Sequence, residues 1–364
     1  MLFQRLDNYL QSSHRPKLIR QTYFHILRFL SWLFFLGYWF RRGFYRFGFF
    51  QAVKLNTPVI SVGNLTWGGT GKTPFVIYLA SKLEESGQKV VILTRGYKRR
   101  SKTQILLITK NLSQHNWQDC GDEPHLICQS LKETAVIINP RRAKAAGWGE
   151  ENLKPDVFIL DDGFQHWKLA RDLDLVLVDS TNPFGNRHLL PLGILREPLG
   201  AISRADLVVL SKVLDVNSCQ EVKSILNPLF KGEIIQAKYR FSLIREQETG
   251  RAIPLESLRD KRILAFCGIG NPESFYLLLE KSGLKIEKKC SFPDHYPYAR
   301  LDLLSLEKEG LKVGVDYLAT TAKDGLKIPS NLQLKLPVLI FEIEVEIISG
   351  EKTLWQKIEQ ILQR

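Results

Sequence analysis

The sequence predicts an α/β fold: a doubly wound parallel sheet, a second, smaller α/β domain after it, and an amphipathic helix before it. Three observations carry this. Short apolar runs rich in Val, Ile and Leu recur from residue 58 to about 212, as strands buried on both faces of a parallel sheet require. The first run feeds a glycine-rich loop, then a helical segment, then another apolar run, which is how a βαβ unit begins. A fresh strand, tight turn and helix start again near residue 261.

The helix comes first. The chain has 364 residues, 44% hydrophobic and 24% charged, enough for two packed domains. Its formal charge is +13, which implies an anionic partner. Residues 1–54 hold nine Lys or Arg (Arg5, Arg15, Lys17, Arg20, Arg28, Arg41, Arg42, Arg46, Lys54) against one acid, Asp7, and so carry +8 of that charge. Tyr23 to Phe50 supplies fourteen of the 38 aromatic residues. Basic residues interleaved with aromatics suit a lipid headgroup interface. The uncharged core Phe29–Phe40 is short for a span, and Arg28 interrupts a longer one. On one helix over 16–50, Lys17, Arg20, Arg28, Arg42 and Arg46 fall within roughly an 80° arc. That favours a helix lying on a membrane surface over one crossing it or one packed on a core. Nucleic acid ranks last as a partner, because the charge sits in an aromatic helix and not in a groove-reading motif. No protein partner is evident. The apolar part sits far from the start and no small-residue cleavage site follows it, so a signal peptide is a poor reading.

Next come the sheet strands: Pro58–Val62, Lys89–Leu93, Thr134–Ile138, Val157–Leu160, Leu173–Val178 and Leu207–Leu210, with a helix over Thr73–Ser86 ended by Gly87. Residues 55–231 form the first domain, 232–258 a β-ribbon or hinge, and 259–364 the smaller domain, which opens with strand Lys261–Cys267. Cys120, Cys128, Cys219, Cys267 and Cys290 make no CxxC or zinc spacing and read as free thiols.

Between the first strand and its helix lies Thr66-Trp67-Gly68-Gly69-Thr70-Gly71-Lys72-Thr73. It matches the phosphate-binding P-loop pattern except that Thr66 replaces the first glycine. Backbone N–H groups have to wrap the phosphates, and Gly68, Gly69 and Gly71 leave room for this. Lys72 adds a point charge on the phosphate oxygens, and the Thr73 hydroxyl is a Mg²⁺ ligand.

Other motifs sit at strand ends. Val157–Leu160 runs into Asp161-Asp162-Gly163-Phe164-Gln165-His166. At that point of a P-loop sheet one of these carboxylates holds Mg²⁺ directly or through water, or the two belong to an Asp-Gly turn with solvated acids. Gly121-Asp122-Glu123-Pro124-His125 offers a carboxylate that can accept a proton from an attacking hydroxyl, and equally a helix cap with a first-turn acid. Asp294-His295-Tyr296 pairs an imidazole with a carboxylate, or is an exposed loop histidine. Of the basic run Arg95, Lys98, Arg99, Arg100 and Lys102, Arg95 is set most tightly after its strand. Arg141 and Arg142 also follow a strand end.

These motifs have an order. Gly63-Asn64, the glycine-rich loop with Pro74, Arg95-Gly96-Tyr97, Gly121-Asp122-Glu123-Pro124, Asp161 to His166, Leu190-Pro191-Leu192-Gly193, Leu195-Arg196-Glu197-Pro198-Leu199, Asp294-His295-Tyr296 and Thr320-Thr321-Ala322-Lys323-Asp324 follow one another over residues 58–325. In order and spacing the chain resembles the tetraacyldisaccharide 4'-kinase family of lipid A biosynthesis, whose membrane-association helix also resembles the N-terminal segment. Trp67, Leu192 and Ala322 depart from its usual residues without touching the chemistry.

The resemblance implies ATP and Mg²⁺ as cofactors and an acylated glucosamine disaccharide 1-phosphate as acceptor, phosphorylated at its 4'-hydroxyl to lipid IVA. It implies work at the cytoplasmic face of the inner membrane. It implies Asp122 as general base with His295, Lys72 and Thr73 on phosphates and Mg²⁺, and Asp161 and Asp162 on the metal. Asn64, Arg95, Glu123, Arg142, Gln165, His166 and Arg171 would line the substrate region, and catalysis would need domain closure. The rival is a membrane-associated P-loop ATPase switch without a lipid acceptor, in which Asp122 and His295 have no purpose. A soluble ligase that activates a carboxylate leaves residues 23–50 unexplained.

Overall fold

The structure, a computed structural model, describes residues 17–101, 103, 105–110, 116–214, 216–329 and 332–363. Arg5, Asp7, Arg15, Pro16 and Lys102 lie outside the described residues, as do the side chains of Lys17 and Arg20. The strands are β1 (Val59–Asn64), β2 (Val90–Thr94), β3 (Leu106–Ile108), β4 (Ala135–Ile138), β5 (Val157–Asp161), β6 (Leu173–Asp179), β7 (Leu207–Ser211), β8 (Ile234–Glu246), β9 (Arg262–Cys267), β10 (Lys285–Ser291), β11 (Tyr317–Thr321) and β12 (Val338–Ser349). The helices are α1 (Lys17–Arg46), α2 (Lys72–Glu85), α3 (Trp117–Cys120), α4 (Asp122–Ser130), α5 (Arg142–Leu153), α6 (Val216–Leu226), α7 (Pro272–Lys281), α8 (Arg300–Val313), α9 (Ala322–Gly325) and α10 (Glu351–Leu362).

These elements form two compact units that alternate along the chain: residues 1–72, 162–236 and 349–364 make one, and 73–161 and 237–348 the other. In the first unit β6 pairs in parallel with β1 on one side and β7 on the other, and β7 pairs with the start of β8. β1, β6 and β7 are buried at every position, so both of their faces are covered. A core of Phe164, Phe184, Ile202, Leu226 and their neighbours packs against β6 and β7. Gly63 is required here by close approach. A Cβ on it would lie 2.5 Å from the Phe164 Cβ and 2.6 Å from the Phe164 nitrogen.

α1 is a single helix, as its periodicity predicts. Among the described residues no helix is long and apolar enough to cross a membrane. One edge of α1 is seated on its unit. Leu27 and Ser31 are buried, the Ser31 hydroxyl donates to the Leu189 carbonyl, and the Tyr38 and Tyr45 rings meet Trp167 edge-on. Much of the rest is apolar and exposed: Phe29, Trp32, Trp39 and Phe40 are 55–60% accessible.

In the second unit β2 lies between β5 and β4 in parallel, and β3 closes that edge antiparallel to β4. The Glu84 carboxylate of α2 takes the backbone N–H groups of Lys132, Glu133 and Thr134, fixing the turn into β4. A second run has β9 between β10 and β11, and β12 beside β11, all parallel. β8 neighbours β12, and Lys238–Glu346, Arg240–Glu344 and Arg245–Glu342 pair across them in antiparallel sense. After β8 the chain turns back through an antiparallel bridge, Arg245 to Ala252. All five cysteines are free thiols, four of them buried.

Gly63→Ala should destabilise the protein by about 3 kcal/mol, because the added methyl meets backbone and not a movable side-chain tip. Urea unfolding measures it.

Candidate functional site

Parallel strands present their carboxyl ends to a ligand crevice, and in both units some of those ends are polar and buried. In the first unit they are Asn64, Asp179 and Ser211; in the second, Thr94 and Asp161.

The phosphate loop belongs to the first unit up to Lys72. Gly68 (φ 125°) and Gly71 (φ 83°) take the left-handed conformations that their sequence positions anticipate. Asn64, the last residue of β1, donates through Nδ2 to the Thr66 carbonyl (2.8 Å) and the Thr70 hydroxyl (2.9 Å). Its own carbonyl accepts from Gln165 Nε2 at 2.9 Å. Lys72 Nζ lies 3.4 Å from Asp162 Oδ1, and Arg196 Nη1 donates to both oxygens of that carboxylate at 2.8 Å. Asp162 is thus held between two cations, in a left-handed backbone conformation (φ 51°) that non-glycine residues adopt at some cost. The His166 N–H donates to the Gly163 carbonyl, and the Arg171 guanidinium is committed to Asp174 and to the carbonyls of His166 and Leu169.

The second unit holds the other group. Gly121 (φ 97°) stands at the cap position of α4 without a side-chain cap bond, and Asp122 is the first helical residue. Its carboxylate is buried, and His295 Nδ1 lies 2.9 Å from both of its oxygens. His295 is left-handed (φ 59°); its N–H donates to the Gly268 carbonyl at 3.2 Å, and its ring packs on Tyr97. It is therefore placed, and not a loose loop histidine. Two lysines complete the cluster. Lys327 Nζ, with a side chain fully removed from solvent, lies 3.2 Å from Asp122 Oδ2 and 3.1 Å from Asp324 Oδ1. Lys323 Nζ lies 2.9 Å from Glu123, 3.3 Å from Asp294 and 4.0 Å from Asp122. Burial by itself would raise the Asp122 carboxyl, but the hydrogen bond from His295 and the charges of Lys323 and Lys327 hold it well below the usual carboxylate range. Burial likewise opposes the Lys323 charge, and Glu123, Asp122 and Asp294 overcome it and raise that ammonium.

Asp161 ends β5, buried, and takes the Thr94 hydroxyl at 2.9 Å. Arg142, buried at the start of α5, donates to the Asp161 carbonyl at 2.9 Å. Arg95 is exposed; Arg99 is tied to the carbonyls of Ile138 and Thr103, and Arg100 to Gln118. Thr73 and Asp161 supply the hard oxygen donors that Mg²⁺ prefers. Among the described residues no three His, Cys, Asp or Glu side chains gather into a metal cluster.

The sequence reading brought Asp122 and His295 together but passed over the groups that surround them. Arg196 and Lys323 lie inside quoted motifs and were assigned nothing. Lys212 and Asp179 carry no local signal beyond their positions just after or at strand ends, and Lys327 none beyond its place after a short helix.

Removing Lys327 leaves Asp122 and Asp324 buried with one cation fewer, so Lys327→Met should cost about 3–5 kcal/mol. A carboxyl held low contributes stability that is complete above its unfolded value of about 3.9 and is lost as pH falls through its folded value. Weakening that hold moves the acid-unfolding midpoint to higher pH, which circular dichroism across a pH series will record.

Known proteins match this chain over most of its length. The family model of the tetraacyldisaccharide-1-P 4'-kinases matches residues 23–363. A tetraacyldisaccharide 4'-kinase of Pelobacter propionicus is 35% identical over 308 residues, 84% of this chain and 83% of that one. One from Geobacter sulfurreducens is 38% identical over 305 residues, 83% of each chain. A crystal structure of the "apo" form of LpxK from Aquifex aeolicus in complex with ATP superposes with a TM-score of 0.70 at 34% identity, covering 92% of this chain and 97% of that chain. The chain belongs to the tetraacyldisaccharide-1-P 4'-kinase family, and it is a kinase.

Proposed function

We propose that this kinase transfers the γ-phosphoryl group of Mg-ATP to the 4'-hydroxyl of a tetraacylated glucosamine disaccharide 1-phosphate, forming lipid IVA. The observation that carries the reading is the Asp122–His295 pair, buried and braced by Lys327. A P-loop switch that only hydrolyses ATP has no use for such a pair, whereas a hydroxyl acceptor must lose a proton.

The acceptor oxygen forms a bond to the γ-phosphorus as the bond from that phosphorus to the β,γ-bridging oxygen breaks, and ADP leaves. The hydroxyl proton passes to the Asp122–His295 pair. Asp122 is held so firmly in its ionised form that its basicity is modest. This fits a loose transition state, in which the nucleophile is oriented early and deprotonated late. The N–H groups of Gly68–Gly71 and the Lys72 ammonium hold the β- and γ-phosphates. Thr73 and Asp161 would hold Mg²⁺, which would supply positive charge to the transferring phosphoryl group. Asp162 and Arg196 set the resting position of Lys72. Asn64, Gln165 and His166 shape the loop side of the site, with Arg171 bracing the turn that carries His166. Glu123, Arg142 and Arg95 serve the acceptor side.

The exposed aromatic face of α1, with Arg28, Arg41, Arg42 and Arg46 also exposed, lies on the cytoplasmic leaflet of the inner membrane. Each basic residue adds ~1 kcal/mol of attraction to an anionic surface. The acceptor's acyl chains are thereby reached without the enzyme crossing the bilayer.

With labelled ATP, Mg²⁺ and the disaccharide 1-phosphate in detergent, the wild type should produce a labelled bisphosphorylated lipid. Asp122→Asn should slow this by about 10²–10⁴-fold. Hydrolysis of ATP with no labelled lipid would overturn the assignment in favour of an ATPase switch. Replacing Trp32, Trp39 and Phe40 by Ser should weaken flotation with anionic vesicles while turnover in detergent persists.

A further inference from the structure

Lys212 directly follows β7 in a left-handed conformation (φ 55°) and is buried. Its ammonium donates to the carbonyl of Gly69 in the phosphate loop, and to Asp179 Oδ2 at 2.6 Å. The Ser211 hydroxyl donates to the next loop carbonyl, that of Thr70, at 2.8 Å. The Lys212 carbonyl accepts from the Ser180 hydroxyl at 2.7 Å, which fixes its backbone. On the other side of the loop Asn64 meets the Thr66 carbonyl. Three loop carbonyls therefore each have a side-chain donor, supplied by the ends of β1 and β7.

An amide or a hydroxyl is enough to satisfy a carbonyl, as Asn64 and Ser211 demonstrate. A buried ammonium is a far more expensive way to do it. Burial pushes the Lys212 ammonium down, Asp179 opposes this, and the like charge of Lys72 adds to the cost. A charge kept there against these penalties does more than satisfy Gly69.

We propose that Lys212 and Asp179 are positioning residues of the phosphate loop. Lys212 fixes the Gly69 peptide with its carbonyl turned to the β7 side and sets a second positive charge behind the loop, and Asp179 keeps that ammonium charged and in place. The inference rests on the reading of this loop as the ATP phosphate site. It carries a selectivity of effect: nucleotide binding depends on the pair, and acceptor binding does not.

The test compares wild type, Lys212→Met, Lys212→Arg and Asp179→Asn in the full-length enzyme. KM for ATP, KM for the disaccharide 1-phosphate, and the dissociation constant of Mg-ADP by calorimetry are measured for each. Lys212→Met should raise KM for ATP and the Mg-ADP constant by about tenfold or more, near 1.4 kcal/mol, with KM for the acceptor within about twofold. Lys212→Arg should recover most of the loss, since it keeps the charge. Unchanged nucleotide constants in Lys212→Met overturn the proposal. So do equal losses toward both substrates that arginine fails to rescue, which mark a general packing role. Should Lys212→Met not fold, Asp179→Asn decides alone: a nucleotide-selective loss supports the proposal, and none overturns it. If wild type neither binds Mg-ADP nor uses ATP, the ATP reading has failed and this inference falls with it. If wild type does both and the variants match it, only this inference falls.

Discussion

A loop that holds phosphate by its backbone N–H groups has carbonyls that must be met by donors on the other side. In the first unit this constraint accounts for the polar ends of two strands. Asn64 closes β1 and Ser211 closes β7, both with no exposure to solvent. Neither is placed for hydrophobic burial, and each would be costly there without its partner carbonyl. The strands can be apolar along their length because their last residues take over the loop.

The second unit solves a different electrostatic problem. It buries one carboxylate, Asp122, and surrounds it with an imidazole and two ammonium groups, while Glu123, Asp294 and Asp324 balance those ammoniums. Lys327 and Asp324 do more than balance charge. Asp324 also accepts the Gly268 N–H at 2.9 Å, and the Gly268 carbonyl accepts from His295. The ion pair and the histidine loop are thus linked through a single residue, Gly268. A substitution in this network acts both on the charge state of Asp122 and on where His295 stands.

Much of this was legible in the sequence, for identifiable reasons. The parallel strands from β1 to β7 were found because burial on both faces writes itself as an unbroken apolar run. Their ends were cut short by a residue or two, because Asn64, Thr94, Asp161, Asp179 and Ser211 are polar and a hydrophobicity pattern stops before them. β10 was missed. It reads Lys-Ile-Glu-Lys-Lys-Cys-Ser and alternates exposed and half-buried positions at an edge, so its pairing with β9 is what makes it a strand. β11 and β12 were not read as strands either: β11 ends in polar Thr320 and Thr321, and Glu342, Glu344 and Glu346, which pair with β8, break the apolar run of β12. In the candidate site the glycine-rich loop could be read because its chemistry is local. Lys327 could not: its partner Asp122 is some two hundred positions away, and a lysine after a short helix looks like any solvated lysine until it is seen buried.

The alternation of the two units along the chain bears on how the protein comes off the ribosome. The first unit includes residues 349–364, and there Leu354, Ile358 and Ile361 of α10 are buried. A nascent chain therefore carries the phosphate loop well before it carries the helix that packs into the same unit. The residues of the second unit are made before α10 is, so the first unit is completed after them. The unit that holds the phosphate loop therefore cannot fold whole before the rest is made, as a domain continuous in sequence can.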